Sequence, residues 1–203
     1  MILSLGGCSL RATVPFFALT AFLLLADQTG MALCGLCAAA LHECGHLLAM
    51  ILCRRPPSSI RLTAFGAEIS THSTAGSYGV DACIAVAGPV LNLILWGATA
   101  ALMHTAISCR LLCLFSASNA ALAVFNLLPI EPLDGGQALL SLLSLYFPRD
   151  KSLKVVMLIS FLILVPLGAL SFLLLFHSCW NVTLLLAVIY LVFLLVMKNG
   201  RYA

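Results

Sequence analysis

An all-α polytopic membrane protein with about six transmembrane helices, and a short membrane-associated β-hairpin after the second, is the fold class this sequence predicts. Three observations carry that expectation. Hydrophobic residues fill 63% of the 203 positions and charged residues only 8%, where a soluble domain has roughly 45–50% and about 25%. Mean hydropathy is +1.14, so the chain has too little polar surface to face water all round, and the bilayer is its natural solvent. The apolar residues also fall into long runs, separated by shorter stretches that collect the prolines, glycines and charges.

Crossing ~30 Å of hydrocarbon takes about 20 helical residues. The first run covers residues 13–26, extended backwards if it tilts, and follows Arg11. No small-x-small cleavage site follows Leu25, so it reads as a retained span and not as a secretory signal. Further spans are expected at 31–53, 81–107, 111–128, 153–176 and 180–197. Between the second and third, Pro56, Pro57, Gly66, Gly76 and Gly79 break any helix. Ile60 to Phe65 alternate there, Gly66 interrupts, and Ala67-Glu68-Ile69-Ser70 follows, which is the pattern of a hairpin. Between the fourth and fifth, Pro129, Pro132 and Gly135-Gly136 precede a short apolar helix at 137–147. Trp180 and Tyr190 read as interface anchors.

The charges orient this arrangement. A net charge of +3 without a basic run or aromatic ladder gives no footing for a nucleic-acid partner. With six spans and a cytosolic N-terminus, nine of the ten basic residues lie on the cytosolic side and Arg110 alone lies outside. That is the positive-inside bias, so both termini are expected in the cytosol. The nine cysteines are odd in number and mostly sit in apolar runs. Cys34 and Cys37 form a CxxC that could be a redox or metal pair, but soft packing residues without a disulfide framework fit the setting better.

The second run holds His42-Glu43-Cys44-Gly45-His46, an H-E-x-x-H pattern. On a helix, residues i and i+4 share a face, so both imidazoles reach one ion, and neutral imidazole is a standard zinc ligand. Glu43 stands beside the first histidine, placed to take a proton from water at the metal. Ionisable groups at membrane depth cost about 2.5–3.5 kcal/mol each and are seldom kept there without a role. The blander reading is a polar cluster joining helices. A second class of function is a membrane metal transporter or metal-binding protein, which would need ligands along a path through several spans. A catalytic zinc usually has three protein ligands. The candidates for the third are Asp134, Glu131, Asp81, His72 and His104. Asp134 stands out, because Pro129 and Pro132 forbid regular helix before it and Gly135-Gly136 allow a sharp turn. Irregular backbone at membrane depth survives only where it lines a cavity or is buried in protein. Gly88-Pro89 with Asn92 is either a simple kink or a small-residue helix contact with Asn92 bonding across helices. His72, His104 and His177 read as loop or interfacial residues, and Glu68 as solvated.

His42 to His46, Gly88-Pro89-Val90-Leu91-Asn92, and the segment from Asn126 to Gly136 together resemble the site-2 protease family of intramembrane zinc metalloproteases. The resemblance covers residues 31–147. In size and span number the chain is most similar to the bacterial sporulation branch, which processes a membrane-tethered pro-sigma factor. The resemblance implies that His42, His46 and Asp134 hold Zn2+, that Glu43 is the catalytic base, and that Asn126 faces the site to steady the oxyanion or the substrate strand. One integral-membrane protease domain over 1–203 is expected, departing from other branches in having no PDZ domain and from the sporulation branch in having no CBS domain. The resemblance also implies a membrane-anchored protein substrate of the pro-sigma or anti-sigma kind and a bacterial cell membrane. A helical substrate hides its carbonyls and must unwind first, and the hairpin offers an edge for the opened strand.

Overall fold

The computed structural model describes residues 2–5, 8–63, 66–71, 77–105, 109–177 and 183–199. They form two compact units, Met1–Phe125 and Asn126–Ala203. In chain order the first unit carries β1 (Ile2–Leu5), β2 (Cys8–Ala12), α1 (Val14–Ala26), α2 (Met31–Leu52), β3 (Pro57–Thr63), β4 (Gly66–Thr71), α3 (Tyr78–His104) and α4 (Arg110–Asn126), whose last residue opens the second unit. The second carries α5 (Asp134–Leu143), α6 (Arg149–His177) and α7 (Thr183–Asn199).

The chain is mostly helical but not all-α. The expected hairpin is present as β3 and β4, paired antiparallel with Ile60 opposite Ile69. It is half of a four-stranded sheet of order β1-β2-β3-β4, in which β2 runs parallel to β3 and antiparallel to β1. The N-terminal strands went unread because each is short and flows into the apolar run behind it. Gly6-Gly7 between two alternating stretches was the available signal. The sheet also stops the first helix from reaching backwards. The Thr13 amide and hydroxyl both donate to the Leu62 carbonyl, at 3.0 and 3.1 Å, and α1 begins one residue later.

Among the described residues, six apolar helices occur where six runs were expected, and of these only α2, α3 and α6 are long and apolar enough to cross a membrane. With 13 residues, α1 is about 20 Å long, short of the ~30 Å of a bilayer core. The shorter apolar helices α4 and α7 have 17 residues each.

Helix α2 is fastened at both ends. At its start the Asp27 carboxylate accepts from the Ala32 amide at 2.6 Å and from the Thr29 amide and hydroxyl at 2.8 and 2.5 Å. A negative charge is favoured at a helix N-terminus. The Thr29 hydroxyl, then the Ala32 and Thr29 amides, hold the Asp27 carboxyl below the usual carboxylate range. At the other end Arg54 takes the left-handed conformation, φ 57°. Its amide donates to Ile51 O at 3.0 Å, and that of Arg55 to Met50 O at 2.8 Å, the two bonds of a Schellman stop. Pro56 then prevents the helix from resuming, and β3 follows. Arg55 closes the corner by pairing with Asp81 in the first turn of α3 at 2.5 Å.

In the second unit, α6 buries three hydroxyls beside Val156 and Leu164 and turns many large apolar side chains outward. Ser152, Ser160 and Ser171 are at most 1% exposed, while Leu158, Phe161, Leu162 and Val165 are 59–65% exposed. That arrangement suits a hydrocarbon solvent, where hydroxyls gain by bonding inside the protein and leucine gains nothing by hiding.

Candidate metal centre

Glycines bring α2 and α3 together at the histidines. A Cβ on Gly45 would stand 2.8 Å from Ala87 O and 3.0 Å from Gly88 Cα, so only glycine permits this approach. A Cβ on Gly88 would run into His46 Nε2 and lie 2.8 Å from His42 Nε2. Glycine inside a helix costs about 1 kcal/mol relative to alanine, and here that cost leaves open the space in front of both imidazoles. The Gly88-Pro89 pair is therefore a helix contact at the site, and not merely a kink.

His42 and His46 are both buried, 6% and 9% exposed, one turn apart on α2. Their outer nitrogens fix their tautomers. His46 Nδ1 lies 2.8 Å from the Ile84 carbonyl, which can only accept, so Nδ1 carries the proton. That carbonyl belongs to α3, five residues before Pro89. His42 Nδ1 lies 2.5 Å from Asn92 Oδ1. The orientation of that amide is set by Asn92 Nδ2 donating to Ala38 O at 3.2 Å. His42 is therefore also protonated on Nδ1. Both Nε2 lone pairs then face each other across 3.1 Å.

A cation placed between these two nitrogens would be shared by both lone pairs. Nitrogens each ~2.0–2.1 Å from one tetrahedral ion stand about 3.3 Å apart, close to the spacing seen. Back-bonding of Nδ1 to an amide and a carbonyl is the usual support for a metal-ligating histidine. The residues present thus fit zinc. Glu43, half-buried, follows His42 on the same helix.

The other sequence candidates fall into place individually. Asp81 is taken by Arg55. His104 is exposed in the last turn of α3. His72 lies outside the described residues. In the second unit Asp134 is the first residue of α5, half-buried. The loop before it is folded tightly, with Ile130 N bonded to Leu128 O and Leu133 N to Ile130 O, both at 2.7 Å, and a cis Glu131-Pro132 peptide. A Cβ on Gly136 would stand 2.5 Å from Ile130 O, and one on Gly135 would meet the Leu127 and Leu128 carbonyls. The glycine pair lets α5 lie against its own approach loop, as the sequence suggested. Glu131 is fully buried; its amide donates to Ser160 Oγ at 2.9 Å and its carboxylate accepts from Gln137 at 2.8 Å. It pins the loop to α6. Asn126, half-buried, closes α4. Asn119 is a residue that sequence reasoning missed, fully buried and bonded to Asn92 at 2.8 Å. Its signal was an amide in the middle of an apolar helix.

The chain is similar to known proteins in sequence and in fold. The sequence profile of peptidase family M50 matches residues 98–167. A candidate zinc metalloprotease of Synechocystis sp. is 35% identical over 107 residues, which is 50% of this chain and 28% of that protein. The chain thus spans about a quarter of the length of the curated relative it matches. Among solved structures, the site-2 protease from Methanocaldococcus jannaschii superposes with a TM-score of 0.67, at 21% identity, covering 97% of this chain and 94% of the other. The fold is therefore that of the Methanocaldococcus jannaschii site-2 protease, and residues 98–167 carry the sequence pattern of peptidase family M50.

Proposed function

We propose that this chain is an intramembrane zinc metalloprotease that hydrolyses a peptide bond within or beside the membrane segment of an anchored protein. The observation that supports it most is the convergence of two Nδ1-protonated imidazoles, His42 and His46, on one point. Asp134 is assigned as the third ligand, which would make two imidazoles and one carboxylate, a usual donor set for catalytic zinc. A zinc ion so held supplies Lewis acidity toward a carbonyl and toward water. The work of the chain itself is to orient and to move protons. Glu43 accepts the proton of the attacking water and returns it to the leaving amine. Asn126 steadies the oxyanion or the opened substrate strand. Residues 31–147 form the catalytic core, the two units act as one protease domain, and six helices place both termini in the cytosol of a bacterial cell. The substrate is of the pro-sigma or anti-sigma kind.

The test uses the purified full chain in lipid vesicles with a single-span substrate. Cleavage should stop on chelation and return with zinc, and His42→Ala or His46→Ala should lose both zinc and cleavage. Metal flux across the vesicle without peptide cleavage would instead support a transporter.

A further inference from the structure

The proposal begins from Asn119, which no part of the mechanism above uses. It sits at the middle of α4, 0% exposed, as is Asn92 on α3. Buried amides facing hydrocarbon helices cost several kcal/mol unless their hydrogen bonds are met. Here they are met in one direction only. Asn119 Nδ2 donates to the Phe115 carbonyl at 2.8 Å, which turns Asn119 Oδ1 toward α3. Asn119 Oδ1 accepts from Asn92 Nδ2 at 2.8 Å, and the second Nδ2 hydrogen goes to Ala38 O at 3.2 Å. Asn92 Oδ1 is left facing His42 Nδ1 at 2.5 Å. Carbonyls that can only accept fix the sense of every link. Reversing either amide would set nitrogen donors against each other or oxygen against a backbone oxygen. The run of bonds ends on an imidazole, and no other outcome than Nδ1–H on His42 satisfies it.

We propose that Asn119, acting through Asn92, is a positioning residue of the metal centre. The two amides lock His42 in the tautomer and ring orientation that turn its Nε2 lone pair toward the ion. The inference rests on the reading of His42 as a zinc ligand. It assigns α4 a part in metal binding although α4 supplies no ligand. Outer partners of ligating histidines typically contribute 10–100-fold in metal affinity. A residue one step further out acts only through the residue it holds.

That dependence gives the test. Zinc affinity is measured by competition with a chromophoric chelator on the detergent-purified full chain carrying Asn92→Leu, Asn119→Leu, or both. Asn92→Leu should weaken binding by about 10–100-fold. Asn119→Leu should weaken it less, on the order of three- to tenfold, and should add nothing in the Asn92→Leu background. Amides that merely join helices would cost thermal stability and leave zinc affinity unchanged. Unchanged affinity in Asn119→Leu, or multiplying losses, overturns the proposal. Because either variant could impair folding, a second measurement uses wild-type protein. Nitrogen-15 histidine spectra of the metal-free chain at mildly alkaline pH, assigned with His42→Gln, should show His42 protonated on Nδ1. Protonation on Nε2 overturns the proposal. If His42→Ala leaves zinc affinity intact, the ligand reading itself fails; if His42→Ala abolishes binding while the amide variants do not alter it, only the relay fails.

Discussion

At the scale of single residues, the centre depends on what glycine omits as much as on what histidine adds. Gly88→Ala should improve the helix propensity of α3 slightly and yet remove the space before both Nε2 atoms. The expected result is retained helical content by circular dichroism with zinc per chain falling toward zero. Normal zinc in Gly88→Ala would mean that the ion sits elsewhere. The third ligand invites a paired comparison. Asp134→Ala should lower zinc and cleavage together. Glu131→Gln should keep zinc and cost roughly 1–3 kcal/mol of stability, because it disturbs a buried, hydrogen-bonded group. The reverse pattern would make Glu131 the ligand. The histidine pair was legible in the sequence because i and i+4 meet within one helix turn. Asn119 was not, because its partner lies 27 residues away on another helix, and nothing local announces such a bond.

At the scale of elements, the sheet changes how substrate pairing is to be tested. Leu62 lies in β3, which has β2 on one side and β4 on the other. Proline at Leu62 would therefore break the interior of the sheet and report on folding, while Phe65 lies outside the described residues. The free edges are β1 and β4. Of two consecutive residues in an edge strand, one amide faces its partner strand and the next faces away. Proline at Ala67 and at Glu68 should split accordingly. One should lower thermal stability, and the other should slow cleavage at least tenfold with the melting temperature nearly unchanged. Equal, unchanged cleavage by both would remove β4 from substrate binding. The corner before α2 carries a pH dependence of definite sign. The Asp27 carboxyl is held below the usual carboxylate range by its bonds to Thr29 and Ala32, so its contribution is present above the unfolded value and is lost as the pH falls through the folded value. Asp27→Asn should melt below wild type at pH 7, and the gap should close under about pH 4. The hairpin was readable from Gly66 and its alternating flanks, while β1 and β2 were hidden by the longer apolar run that follows them.

At the scale of the whole molecule, composition alone chose the solvent, because 8% charge leaves no other choice. It did not decide how far each helix reaches: helix length depends on where strands and caps cut the runs, and Thr13 and Arg54 make two of those cuts. Orientation follows from charge. Reporter fusions after Ala203 and in the loop between α6 and α7 should give opposite signals, the first cytosolic; matching signals would contradict six alternating helices. The central claim, that the centre hydrolyses peptide bonds and does not merely bind metal, is tested most directly at Glu43. Glu43→Gln keeps the side-chain volume and the three proposed ligands, and removes only the base. The measurement is cleavage of an anchored single-span substrate by the full chain, with zinc determined on the same samples. The account predicts wild-type zinc content with cleavage reduced by at least ~10²–10⁴-fold, and near-normal cleavage by a zinc-loaded Glu43→Gln chain would contradict it.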